Sequence, residues 1–360
     1  AVATTFDLNF NTIADDFTFT RGSEATFVNA QGLIQSTASN DAPRLDYSTG
    51  SEAFLLEPQS TNLIPQSESF LAGWSKLNGV VVSATKATSP DGTLNASQLI
   101  YDGTNNGRIE RAIGGLTQGA DYTVSVYARV SSGTQLVRFG SVNDFEYTLT
   151  TEWQRLTKTQ PENDTVAYPR LRCDDAATIE IWAFQLEQQS YATSYIPTSG
   201  ASATRNQELC NDATPVINSE EGTLYAETAT LANDGTFRSV SLSDGTALNY
   251  VSLSYFNTTN SFKGILVLNN ITQVAISFTL SDATDFNKIA IKYKQNDFSL
   301  FVNGTKVGVD VSGNTFPINT LNKLSFSRGD GAVKFFGNTK GLKYYPKALA
   351  DVQLEDLTTI

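Results

Sequence analysis

The stretch Trp182 to Gln207, WAFQLEQQSYATSYIPTSGASATRNQ, decides how the chain reads. Residues 179–187 place β-branched and aromatic side chains in mild alternation, which marks a strand. Thr193-Ser194-Tyr195-Ile196-Pro197-Thr198 follows as an extended tie, because the proline biases Ile196 away from helix. Residues 199–205 carry little that could be buried and read as a small-residue linker or loop. One β-rich unit ends at this point and another begins.

Upstream, residues 63–198 show strand patterns at 96–101, 108–113, 122–129, 136–140, 145–149, 154–159, 168–173 and 178–186, with a turn at Ser89-Pro90-Asp91-Gly92. About eight strands spaced roughly ten residues apart predict a jelly roll. Downstream, strands are predicted at 222–227, 239–242, 250–255, 264–268, 274–279, 288–294, 324–327 and 334–337. Residues 298–308 form a predicted hairpin, since Asn303-Gly304 suits a tight turn that needs positive φ. Residues 341–352 return a strand and begin one short helix. The first 62 residues contain only short extended pieces, among them a hairpin over 25–35. They are too thin for a large core, and are expected to pack on their neighbours or on copies of themselves.

The bulk numbers narrow the function. A chain of 360 residues can hold two or three domains, each with its own core. The net charge of -12, with no Lys/Arg cluster, argues against nucleic acid as a partner, because phosphate contact needs a concentrated positive face. The chain has no histidine, which removes the commonest general base, the usual hydrolase triad and most zinc sites. Cys173 and Cys210 lie in different predicted domains and are expected as free buried thiols rather than a disulfide. No apolar run approaches the ~18 residues of a membrane-spanning helix, and residues 1–5 lack the pattern of a secretion signal.

Binding surfaces are sought by alternation. Tyr168, Arg170 and Arg172 share one face of a predicted strand, with Pro169, Leu171 and Cys173 on the other. Arg108 and Arg138 point outward on other predicted strands by the same rule. These five are the candidate ligand-binding residues: neighbouring strands would make an arginine- and tyrosine-lined platform able to hold an acidic or neutral glycan. A solvated sheet face or a subunit interface would show the same pattern. No catalytic residue is assigned: Glu220 and Glu221 are adjacent, so on a strand they would face opposite ways, and Asp282 and Asp285 fall in a loop-like stretch. No cofactor is expected. A structural calcium could draw only on Glu68, Asp91 and Glu187, without a recognisable loop, and is left unassigned.

Three stretches resemble known families. The W-A-F-Q-L-E strand with T-S-Y-I-P-T and R-N is similar to a segment of bacteriophage virion proteins. R-G-S-E-A-T-F-V (21–28), P-R-L-D-Y (43–47) and L-L-E-P-Q-S-T-N-L-I (55–64) look like an N-terminal module of phage tail and spike proteins. Residues 63–198 resemble carbohydrate-binding modules of the galactose-binding-like jelly-roll type. That resemblance implies that Trp74, Trp153 and Trp182 are framework side chains. The L-F-V-N-G hairpin and the closing K-Y-Y-P-K-A-L-A-D-V-Q-L resemble the concanavalin-A-like, laminin-G-like sandwich of lectins and glucanases.

The resemblances imply an all-β chain: an anchoring or oligomerising module over 1–62, a jelly roll over 63–198, a linker over 199–209 and a concanavalin-A-like sandwich over 210–360. They further imply a virion spike or fibre component, made in the host cytoplasm, that binds host-surface carbohydrate. Its partners would be other virion proteins and copies of itself, as a trimer. Two alternatives stand beside this: a purely structural capsid or tail decoration protein, and a secreted glycan-binding accessory module of a polysaccharide-degrading enzyme.

Overall fold

The computed structural model describes residues 3–360. The chain is all-β: antiparallel strands build every sheet, and the two helices among the described residues are Ile13–Asp16 and Asp351–Thr358. Contacts divide it into two compact units. One takes residues 23–40 and 59–206; the other takes the chain up to Gly22, residues 41–58 and residues 207–360. The N-terminal 62 residues are therefore shared out between the two.

The first unit is a sandwich of two five-stranded sheets. One sheet orders Gln154–Pro161, Asp121–Val130, Ala176–Glu187, Ala96–Asp102 and Val80–Ala87; the other orders Phe145–Leu149, Gln135–Gly140, Arg170–Cys173, Gly107–Glu110 and Ser75–Leu77. Leu99, Ile109, Val126, Phe139, Leu171, Ile181 and Phe184 fill the space between them. Period-two alternation puts one set of side chains in this core and the other outside. The hairpin Thr26–Val28 with Ile34–Ser36 belongs to this unit.

The tryptophans are framework side chains. Trp74 and Phe184 have ring centroids 4.7 Å apart, and Trp182 lies 4.8 Å from Tyr195. Trp153 is partly buried and donates its indole N–H to the Thr88 carbonyl at 3.2 Å.

The opening motif and its tie are two halves of one buried polar seam. Gln185 accepts the Ile196 amide at 2.7 Å and donates to Glu187 at 2.6 Å. Glu187 also accepts Ser60 Oγ at 2.7 Å and the Thr193 amide at 3.1 Å. Asn62 donates to the Ile196 carbonyl at 2.9 Å, and the Tyr195 and Ser67 hydroxyls meet at 2.6 Å. Burial obliges each of these groups to find a partner, which is why the segment is rich in Gln, Glu, Thr and Ser. The stretch read as linker has more structure than its composition suggests. Ala203–Arg205 pairs with Ser60–Asn62, and Arg205 is buried against the Thr193 and Ser194 hydroxyls.

The second unit is also a sandwich. Its larger sheet orders Thr305–Asp310, Phe298–Val302, Asn287–Lys294, Glu221–Thr230, Gly337–Tyr345, Ala53–Leu56 and Arg44–Asp46, with Phe6–Asp7 also paired to Gly337–Tyr345. The smaller orders Ile271–Thr279, Ser261–Leu268, Tyr250–Tyr255, Arg238–Ser243 and Lys323–Ser325. Phe54, Leu224, Leu242, Leu253, Leu266, Ile291 and Leu300 lie in its core. The predicted hairpin turns at Asn303 (φ 49°) and Gly304 (φ 78°), the positive-φ pair such a turn requires. The closing helix seats Leu354 beside Tyr225, Ala290 and Phe301.

The arginines and glutamates of the N-terminal motifs form a buried ionic cluster in this unit. Arg21 meets Glu208 at 2.8 Å, and Arg44 meets Glu57 at 2.8 Å and Glu208 at 2.5 Å. Cys173 and Cys210 are both buried and free. Among the described residues no helix is long and apolar enough to cross a membrane.

Candidate functional site

Four of the five candidate residues sit on the outer face of one sheet of the first unit. Arg138 is opposite Arg172, and Arg172 is opposite Arg108, so three arginines stand side by side across three neighbouring strands. Arg170 lies one step along, opposite Glu110. Leu171 and Cys173 between them are buried, as alternation requires. Tyr168 precedes the strand and is exposed.

Like charges placed directly across strands repel. The face removes that cost with carboxylates. Arg108 Nε donates to Glu110 at 2.7 Å, and Arg170 Nε donates to Asp144 at 2.8 Å. Arg172 donates to both oxygens of Asp174, at 3.1 and 3.3 Å. Arg138 also donates to Asp174, and to Glu146 at 3.1 Å. Burial pushes the Asp174 carboxyl up, but bonds from Arg172, the Asn106 amide and Arg138 more than offset this and hold it below the usual carboxylate range. The Asp174 and Glu146 bonds push Arg138 above its ordinary value.

The arginine platform read from alternation is therefore a compensated ladder of donors and acceptors, with no strong positive field. Such a surface suits neutral hydroxyl-rich ligands better than acidic ones. The four guanidinium side chains keep between 21% and 34% of their surface exposed, so they are held yet reachable. The carboxylate partners Asp144 and Asp174 were invisible to strand alternation because both lie just outside the strands they serve. Proximity in sequence gave a signal for Asp174, which follows Arg172 by two positions, and none for Asp144, which is 26 residues from Arg170.

The remaining acids are occupied locally. Glu220 and Glu221 both line a cleft of about 580 Å³ in the second unit. Burial raises the Glu221 carboxyl, but Lys347, the Ala348 amide and Lys294 more than reverse this and hold it ionised. Asp282 caps its own turn through Thr284. Glu68 and Asp91 share the Asn95 amide, at 3.2 and 3.4 Å. Burial, with Asp91 adding repulsion, raises the Glu68 carboxyl despite a bond from the Tyr195 hydroxyl. Glu187 serves the polar seam instead of joining them, and no group of three or more acids, histidines or cysteines that could hold a metal is found among the described residues. Of the three acids considered for calcium, Glu68 and Asp91 thus come together at Asn95 and Glu187 does not join them.

No protein-family model matches the chain, and no curated protein matches it. Solved structures do. A structure described as "CBM4 structure and function" is 17% identical, with 45% of this chain and 99% of that one covered and a TM-score of 0.24. A native glycosidic hydrolase is 10% identical, with 82% and 99% covered and a TM-score of 0.28. Domains LG4-5 of the mouse laminin alpha1 chain are 8% identical, with 80% and 96% covered and a TM-score of 0.29. Likeness at these scores carries no functional argument.

Proposed function

We propose that this protein binds glycan without transforming it, through the arginine–carboxylate face of the first unit. One observation carries the reading: Arg138, Arg172 and Arg108 stand in register on adjacent strands, each held by a carboxylate. Planar donors fixed beside acceptors can engage the vicinal hydroxyls of a sugar at little entropic cost. Tyr168 offers an exposed ring two positions before Arg170, suited to stack on a sugar face.

The accessory-module reading needs nothing beyond this face. The attachment reading, in which the protein sits on a virion, adds other virion proteins and a homotrimer as partners; it rests on the motif resemblance, and several copies would raise avidity. A decoration protein would need no glycan at all.

The test is a glycan array with the full chain, followed by calorimetry on Tyr168→Ala and Arg172→Ala. The expected result is binding to a neutral polysaccharide, weakened about tenfold by each substitution, on the scale of one lost charged hydrogen bond or stacking contact. Absence of binding to any glycan by the folded protein would leave scaffolding as the reading.

A further inference from the structure

The smaller sheet of the second unit has two unlike faces. Val240, Leu242, Val251 and Leu253 enter the core, while the alternate positions are serine. Ser239 is opposite Ser254, and Ser241 is opposite Ser252. These hydroxyl-bearing residues are themselves buried, at 0–6% exposure. Above them remains a pocket of about 90 Å³, lined by Phe237, Tyr250, Ser252, Phe256, Ile265 and Arg328 among others.

The hydroxyl protons can be followed. Ser254 Oγ donates to Ser252 Oγ at 3.0 Å. Ser254 has one proton, so in its 3.0 Å contact with Ser239 it must accept. Three hydroxyls thus share two bonds, which leaves one proton of the row for an acceptor in the pocket, and Ser252, 1% exposed, stands at one end of it. A buried donor without a partner is costly, and its natural complement is a ligand acceptor in the pocket. Around it Phe237, Phe256, Ile265 and Val333 supply apolar wall, with the rest of the serine row, Tyr250 and Arg328 beside them. Phe237 and Phe256 meet edge to face at 4.7 Å, and Phe237 keeps 42% of its surface exposed at the pocket. Arg328 stands at the pocket, fixed by Asp330 at 2.9 and 2.5 Å.

We infer that this pocket receives the acetamido group of a neutral N-acetylated amino sugar, an inference that rests on the glycan-binding reading and adds a second site to it. The volume is roughly three waters' worth, which suits a group of about four heavy atoms and falls well short of the ~300 Å³ that encloses a whole ligand. The acetamido methyl meets Phe237, Phe256 and Ile265, and its carbonyl accepts the Ser252 proton. The sugar ring stays at the mouth, beside Tyr250 and Arg328. A plain hexose has no group that is apolar at its end and an acceptor one bond away.

The experiment uses the full chain with N,N′-diacetylchitobiose and cellobiose as probes, read by saturation-transfer NMR and calorimetry. The expected result is strongest saturation at the acetamido methyl, with cellobiose at least about tenfold weaker. Ser252→Ala and Phe237→Ala should each weaken the acetylated probe about tenfold, while Lys306→Ala, which belongs to neither site, leaves it unchanged. Ser252 lies within a sheet, so if Ser252→Ala does not fold, the exposed Phe237→Ala decides. Equal binding of the two probes, no binding of the acetylated one, or wild-type affinity in Phe237→Ala overturns the inference. If a polysaccharide is still bound and lost in Arg172→Ala, the first face survives while the pocket falls. If no sugar binds any variant, both readings fall.

Discussion

Arg44 and Glu208, 164 residues apart, meet side-on: Nε to Oε1 is 2.8 Å and Nη2 to Oε2 is 2.5 Å. Both side chains are fully buried, and Glu208 also takes Arg21 at 2.8 Å and the Glu57 amide at 2.8 Å. Burial alone would lower the Arg44 value, but Glu208 and Glu57 reverse this and raise it, so it stays charged. Glu208→Ala removes the buried carboxylate that Arg21 and Arg44 share and should cost about 3–5 kcal/mol. Lys306→Ala, which breaks the more exposed pair with Asp351, should cost no more than about 1 kcal/mol. Urea denaturation of the two variants measures the contrast; similar losses would mean the cluster is not the anchor it looks to be.

The seam through Gln185 makes a second contrast. Gln185→Leu removes the acceptor of the Ile196 amide and a donor to Glu187, both buried. Each orphaned group costs about 1–3 kcal/mol. Tyr168→Ala, on the exposed face, should stay within about 0.5 kcal/mol. Thermal melting of both variants checks this, and an unchanged melt for Gln185→Leu would contradict the seam's role.

Glu68 sets a pH dependence with a defined sign. Its folded-state carboxyl is raised, chiefly by burial and further by Asp91. A raised value means the protonated form is the better folded one, so stability is fuller below the unfolded value, near ~4.3, and declines as pH rises through the folded value. Glu68→Gln should therefore melt higher than wild type at pH 7, with the gap closing towards pH 4. A gap that widens on acidification would reverse the assignment.

Asp174 works the other way. Its folded value is lowered, so the stabilisation it lends the arginine face is complete above about pH 4 and lost as pH falls through the folded value. Glycan affinity measured against pH should be flat from pH 7 to pH 5 and fall only at pH below the ordinary aspartate value of ~3.9. A steep change between pH 7 and 5 would implicate another group, and the chain has no histidine to supply one.

Residues 210–360 expressed alone should aggregate. That piece lacks Ala53–Leu56 and Phe6–Asp7, both of which pair with Gly337–Tyr345, and it lacks Phe54 from the core. The uncovered edge would template association. Size-exclusion chromatography of this piece against the full chain reads the outcome; a stable monomer would show these strands to be dispensable.

Much of the architecture was legible because it is local. Alternation placed Arg170 and Arg172 outside and Leu171 and Cys173 inside, and Asn303-Gly304 announced its turn by its need for positive φ. Pairing between distant segments leaves no such trace. Nothing near Ala53–Leu56 says that its partner lies at 337–339, so the first 62 residues looked like a separate module. The same holds for charge: Arg138 and Asp174 are far apart in sequence, so the compensation of the face stayed hidden. The serine pocket had a visible sign in S-V-S-L-S (239–243) and V-S-L-S-Y (251–255), where every second residue is a small hydroxyl on a strand otherwise built for burial.

The pairing of Phe54 with Thr339, and of Phe6 with Tyr344, also sets an order of events during synthesis. At ~5–20 residues per second, the ribosome needs roughly a quarter of a minute to a minute to travel from the first of these partners to the second. Until then Phe6–Asp7 waits for its partner, and Ala53–Leu56 has only Arg44–Asp46 to pair with. That edge of the larger sheet therefore closes only once residues 337–345 have been made.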